Sequence, residues 1–123
     1  SQTFMLKVKS DSVQNRSYHF SLLVIHFISR LPKGNPYWVL GDQLLRSGTS
    51  IGANIFEAKS SSSRKEFIRY YEIALKSANE TNYWLGLLKD SSFIPASKIL
   101  PLSEACTELS KIVASSILTL KSK

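Results

Sequence analysis

A single cysteine, Cys106, stands among 123 residues, so no internal disulfide framework holds this chain together and a reducing setting is expected. No apolar run reaches the roughly 18 residues of a membrane span; the longest, 20–31, is broken by Ser21, His26, Ser29 and Arg30. A secretory signal pattern is missing too, because Lys7 and Lys9 lead into the polar stretch Ser10 to Ser17. Met5 reads as the natural start, and a cytoplasmic protein is expected. The pattern holds no strand alternation, internal repeat or second domain. Acidic residues are in deficit, 9 against 16 lysines and arginines, which leaves a net charge of +7. That balance favours a polyanionic partner: RNA, DNA or an acidic protein.

Signals of catalysis are equally scarce. His19 and His26 lie seven apart on one helix face, but no Cys, Asp or Glu near them completes a metal set. Glu57, Glu66, Glu72 and Glu80 do not form the paired Glu-x-x-His motifs of a di-iron bundle. There is no nucleophile elbow, phosphate loop or zinc spacing. No enzyme activity, metal or cofactor is expected.

What is present is a folded composition, 43% hydrophobic and 11% aromatic, in four amphipathic helical segments. Asp11 or Ser12 can cap the first, whose seam is Val13, Ser17, Phe20, Val24, Phe27 and Leu31. After the Pro32-Lys33-Gly34 turn, Asn35-Pro36 gives a cap followed by proline at the first helical position. The second helix then runs to about Lys59, with Leu44, Gly48, Ile51, Ile55 and Ala58 on one stripe and Leu45, Thr49, Gly52 and Phe56 on another. Ser63-Arg64-Lys65-Glu66 fits a capping box and opens a third helix to about Asp90. Its seam is Phe67, Tyr71, Ala74, Ala78, Thr81, Leu85 and Leu88, beside a stripe of Tyr70, Ile73, Ser77, Glu80, Trp84 and Leu87. The fourth helix shows the heptad Ile99, Leu102, Cys106, Leu109, Val113, Ser116 and Leu120, with Pro101 leaving its start open.

Short loops between four such helices predict an all-α, antiparallel up-down-up-down four-helix bundle. It occupies residues 11–123 as a single domain, behind a flexible N-terminal segment at 1–10. Helices two and three carry more apolar surface than one seam needs, which points to self-association.

Gly48 and Gly52 lie one above the other in the second helix. Each glycine costs about 1 kcal/mol against alanine in a helix interior, so a close approach is implied, by a helix of the same chain or by a partner chain. Asn54, Glu57, Asn79 and Glu80 fall at seam edges on otherwise apolar helices and are candidates for an interhelical or intersubunit polar network. Trp84 joins this structural or interface set.

The topology also sorts charge. In an up-down-up-down bundle the chain start, the second loop and the chain end share one pole. That pole collects Lys7, Lys9, Arg16, Lys59, Arg64, Lys65, Arg69, Lys121 and Lys123, against Asp11, Glu57 and Glu66. The opposite pole has Arg30, Lys33, Lys89 and Lys98 against Asp42 and Asp90. Serines flanking Arg64 and Lys65 can add neutral phosphate contacts. Phe67, Tyr70 and Tyr71 sit beside the basic pole, where they either stack on unpaired bases or pack in the core stripe.

Arg46 to Ile55, followed by Glu57-Ala58, resembles the signature of the four-helix-bundle family encoded in intervening sequences of bacterial 23S ribosomal RNA genes. The likeness continues through Ser63 to Phe67, Ala74 to Glu80 and Tyr83 to Leu88, with Phe56 replacing a smaller residue often found there. The resemblance implies a bundle assembling into a homopentameric ring, and distant relatives are accessory proteins that bind a reverse transcriptase and nucleic acid. The expected function is thus non-enzymatic nucleic-acid binding by a basic pole, RNA before DNA. Docking of that pole on a protein such as a reverse transcriptase is the alternative.

Overall fold

The computed structural model describes residues 12–91 and 94–123. The segment expected at 1–10, with Lys7 and Lys9, lies outside the described residues. Four helices follow in order: α1 (Val13–Ser29), α2 (Tyr37–Ala58), α3 (Arg64–Ser91) and α4 (Ala96–Lys121). Each packs on two neighbours, α1 on α2, α2 on α3, α3 on α4 and α4 back on α1. The pairs run antiparallel, which closes an all-α four-helix bundle. No described helix is long and apolar enough to cross a membrane.

Local chemistry sets the helix starts. Ser12 caps α1, its hydroxyl accepting from the Asn15 N–H at 3.3 Å. Ser63 does the same for α3, accepting from Glu66 N–H at 3.1 Å, and the Glu66 carboxylate takes the Ser62 hydroxyl at 3.3 Å. The start of α2 differs from expectation. Pro36, not Asn35, occupies the cap position, and no side chain caps the helix. Gly34, at φ +96°, turns the chain into it, a conformation that favours glycine.

The core consists of the residues that helical spacing selects. Phe20 and Val24, Leu44, Ile51 and Ile55, Leu85 and Leu88, and Ile99, Cys106 and Val113 are buried side by side. Burial pushes the Cys106 thiol up to about 12, and its Sγ donates to the Ala78 carbonyl at 3.3 Å. The seam of α4 departs from its heptad at the end, where Ile117 is buried in place of Ser116 and Leu120. At about 3.6 residues per turn Ile117 falls five whole turns after Ile99 and so on the same line, whereas the strict heptad carries Ser116 off it.

The two sides of α2 are built differently. Against α1 it is tight: a Cβ on Gly48 would stand 3.0 Å from Val24 Cγ2, and one on Gly52 would stand 3.2 Å from the Ser17 carbonyl oxygen. Glycine here lets two helices of the same chain approach closely. Against α3 an apolar contact is joined by a row of polar pairs. Thr81 Oγ1 meets Ser47 Oγ at 3.0 Å, and Ser77 Oγ meets Ser50 Oγ at 2.9 Å. Asn54 donates to Ser50 Oγ at 3.1 Å. Glu80 accepts from Trp84 Nε1 at 2.9 Å and from Arg46. Those two donors hold the Glu80 carboxyl below its ordinary range, the indole bond first. Glu57 and Asn79 are exposed and stand outside this network.

The apolar surplus expected on the second and third helices falls mainly on α1 and α2 instead. Tyr18, Leu22, Leu23 and Ile25 of α1 and Trp38, Val39, Leu45 and Phe56 of α2 are exposed, against Ile73 and Tyr83 of α3. The second stripe of α3 is partly covered because Ser77, Glu80 and Trp84 turn into the polar network.

Candidate nucleic-acid interface

One end of the bundle brings together the start of α1, the α2–α3 connection and the end of α4. Arg64, Lys65 and Arg69 occupy the first two turns of α3, and Lys121 closes α4 beside them. Together they line an open depression of about 750 Å³, with Ser63, Ile68 and Leu120 between them. Arg64, Ser63 and Leu120 also line an adjoining hollow of about 410 Å³, which adds Lys59, Ser61 and Phe67. The Ser61 hydroxyl is buried there without a hydrogen-bond partner among the described residues.

Two carboxylates share the larger depression, Glu66 and Glu72. Glu66 sits in the first turn of α3, where the helix dipole favours negative charge. Glu72 pairs with Lys121 at 3.1 Å, with both side chains about half exposed. An exposed pair of this kind contributes only about 0–1 kcal/mol, so Lys121 can exchange Glu72 for another anion at little expense.

The cations expected at this pole do not behave alike. Arg64, Lys65, Arg69, Lys59 and Lys123 are exposed. Arg16 is turned away: its guanidinium meets Glu108 at 2.5 Å, and its side chain is only 14% exposed. It fastens α1 to α4 and takes no place in either hollow. Glu72 and Glu108 are counter-charges that the count of residues near the loops passes over, because both approach from the body of a helix. No loop sets the register of α4 against α1 and α3, so the sequence carries no signal for either pairing.

The nearby aromatics belong to the core. Phe67 and Tyr71 stack with centroids 4.7 Å apart, and burial pushes the Tyr71 phenol above its ordinary range. Phe67 and Tyr70 are partly buried against that core, and Phe67 also lines the smaller hollow. The arrangement therefore offers ionic and hydroxyl contacts to oxyanions, with no stacking platform for bases.

At the opposite end a hollow of about 270 Å³ is lined by Ile28, Leu31, Pro32, Tyr37 and Trp38, with Lys33 and Asp42 among its walls. The other cations of that end, Arg30, Lys89 and Lys98, take no part in that lining.

Fold and charge together define a basic four-helix-bundle protein with one cation-rich end. The chain belongs to the 23S rRNA-intervening sequence protein family, which matches residues 9–115. It is also similar to a crystal structure from Bacteroides thetaiotaomicron VPI-5482, a protein with unknown function from the S23 ribosomal protein family. The two share 40% sequence identity at a TM-score of 0.81, over 86% of this chain and 98% of that one. No curated protein compared with the chain matches it.

Proposed function

We propose that this protein is a non-enzymatic nucleic-acid-binding bundle that contacts phosphates with its basic pole. The observation that carries the reading is the gathering of Arg64, Lys65, Arg69 and Lys121 around one open hollow, with Lys59 beside it. A neutral donor at Ser63, exposed on the rim of both hollows, suits phosphate oxygens. RNA is preferred over DNA, in keeping with a family named for 23S rRNA. Recognition is by backbone and shape, since the nearby aromatics are committed to the core. The polar residues that could have served chemistry are already engaged, Glu80 by Trp84 of its own helix and Arg46 of α2, and Asn54 by Ser50 of its own helix.

The protein works as a homo-oligomer, a pentameric ring by resemblance to its family. A ring presents several copies of the basic pole on one face, which raises affinity for a long polyanion by effective concentration. A second reading has the same pole docking an acidic protein surface, such as that of a reverse transcriptase. The Lys121–Glu72 pair supports it, because the pole already engages a carboxylate.

Alanine at Arg64, Lys65 and Arg69 together tests the site. These side chains are exposed, so the bundle should stay folded by circular dichroism. Affinity for a structured RNA is expected to fall about a hundredfold at low salt, with the salt slope reduced by about 3. Unchanged affinity would remove the pole from the account. Recovery of a protein partner that resists nuclease would favour the docking reading.

A further inference from the structure

We propose that the exposed seam between α1 and α2 is the surface on which a second copy of this chain packs. The inference rests on the reading that the protein self-associates, and it gives that association a place. Tyr18, Leu22 and Ile25 stand at i, i+4 and i+7 on α1 and are 54%, 39% and 48% exposed. Trp38, Leu45 and Phe56 follow the adjacent edge of α2 and are 64%, 37% and 45% exposed. The rings of Tyr18 and Phe56 meet edge to face at 6.4 Å, which ties the two rows into one surface. Beneath them Gly48 and Gly52 draw the helices together on Val24 and Ser17. The seam is closed below, so it presents a strip and not a cleft for a small ligand.

Charge, plentiful elsewhere, is sparse on this strip. In a chain of net charge +7, α1 carries one Lys or Arg and no acidic residue. That residue, Arg16, turns to Glu108 on α4. The apolar row of α1 is interleaved with Gln14, Ser21 and Ser29, all neutral. On α2, Arg46 turns to Glu80 on the other side of the helix, and Asp42, exposed between Trp38 and Leu45, is the charge that remains along the row. A polyanion finds one carboxylate, Asp42, and no cation between Trp38 and Phe56 along the α2 row, and an acidic or basic protein surface finds no charged patch to match.

Area points to the same occupant. Aromatic side chains bury about 150–250 Å² each, and these six side chains are close to half exposed. They offer on the order of 500 Å² of apolar surface. A stable interface takes about 800 Å² from each partner, of which roughly 65% is apolar in homodimers, again near 500 Å². The charge depletion is that of a permanent contact between like chains, whose interface core is more apolar than that of transient complexes.

Light scattering after chromatography of nuclease-treated protein tests the proposal, with nuclease ensuring that nucleic acid does not hold copies together. The wild type is expected at an integer multiple of the chain mass. Leu22→Asp/Ile25→Asp is expected to run as a monomer with unchanged helical circular dichroism. Leu118→Asp, at a residue 71% exposed on α4, should keep the wild-type mass. If the double variant does not fold, Tyr18→Ser/Phe56→Ser serves in its place, with a rise of at least about tenfold in the concentration of half-dissociation. A folded seam variant that retains the wild-type mass would overturn this assignment and leave self-association standing. A monomeric wild type would overturn both. Binding of a structured RNA, read separately by anisotropy, decides the basic-pole reading independently of either result.

Discussion

The two ends of this bundle are made of the same materials and do different things with them. At one end, Arg64, Lys65, Arg69 and Lys121 share the rim of a single hollow. At the other, Lys33 is the one cation lining a hollow that also has Asp42 in its wall. The difference does not come from composition, since both ends carry several cations. It comes from which helices start where. The first two turns of α3 place three cations, at 64, 65 and 69, around one helix end, and α4 stops beside them. At the far end Lys89 and Lys98 lie on either side of a connection and take no part in lining that hollow. A basic protein thus acquires a basic site only where topology converges its charges.

The sharpest way to break this comparison is to strip each end in turn. Alanine at 64, 65 and 69 should weaken RNA binding about a hundredfold, whereas alanine at Lys33, Lys89 and Lys98 should change it less than about threefold at matched salt. Equal losses would mean that net charge, and not the hollow, drives association. Competition titrations with both triple variants read the difference.

Next in size is a change that leaves both ends intact. Gly48→Leu places a large side chain where even a Cβ stands 3.0 Å from Val24, so overpacking should destabilise the bundle by about 1–3 kcal/mol. Urea unfolding measures this. RNA affinity, taken where the variant is still folded, should be unaffected. A loss of affinity in the folded variant would show that the pole depends on the α1–α2 crossing.

The smallest effect is electrostatic and lies mid-bundle. Glu80 has its folded carboxyl pKa lowered by Trp84 and Arg46. It therefore contributes stability above the ordinary carboxylate pKa, and that contribution disappears as pH falls through the lowered value. Glu80→Gln should be less stable than wild type at neutral pH, and the two should converge in acid, with RNA binding at neutral pH unchanged. Parallel curves of stability against pH would argue against this role.

The sequence made the bundle readable because burial and helical period agree. Phe20 and Val24, Tyr71 through Leu88, and Ile99 through Val113 all sit where 3.6-residue spacing puts them. Three features were harder to read. Ile117 replaced Ser116 because a heptad is only an approximation to the helix. Arg16 belongs to Glu108 because lateral register between α1 and α4 is not written in any loop. The apolar surplus moved to α1 and α2 because exposure of a stripe depends on which neighbour covers it. For the site, the convergence of cations followed from connectivity alone, but their carboxylate partners needed side-chain geometry.

Fluorescence anisotropy of the wild-type protein with a structured RNA and a matched DNA, across a salt series, tests the central claim most directly. Tight RNA binding is predicted, weaker for DNA, falling steeply and linearly in log salt as phosphate contacts release counterions. No binding to either even at low salt would contradict the claim and leave the basic pole to a protein partner.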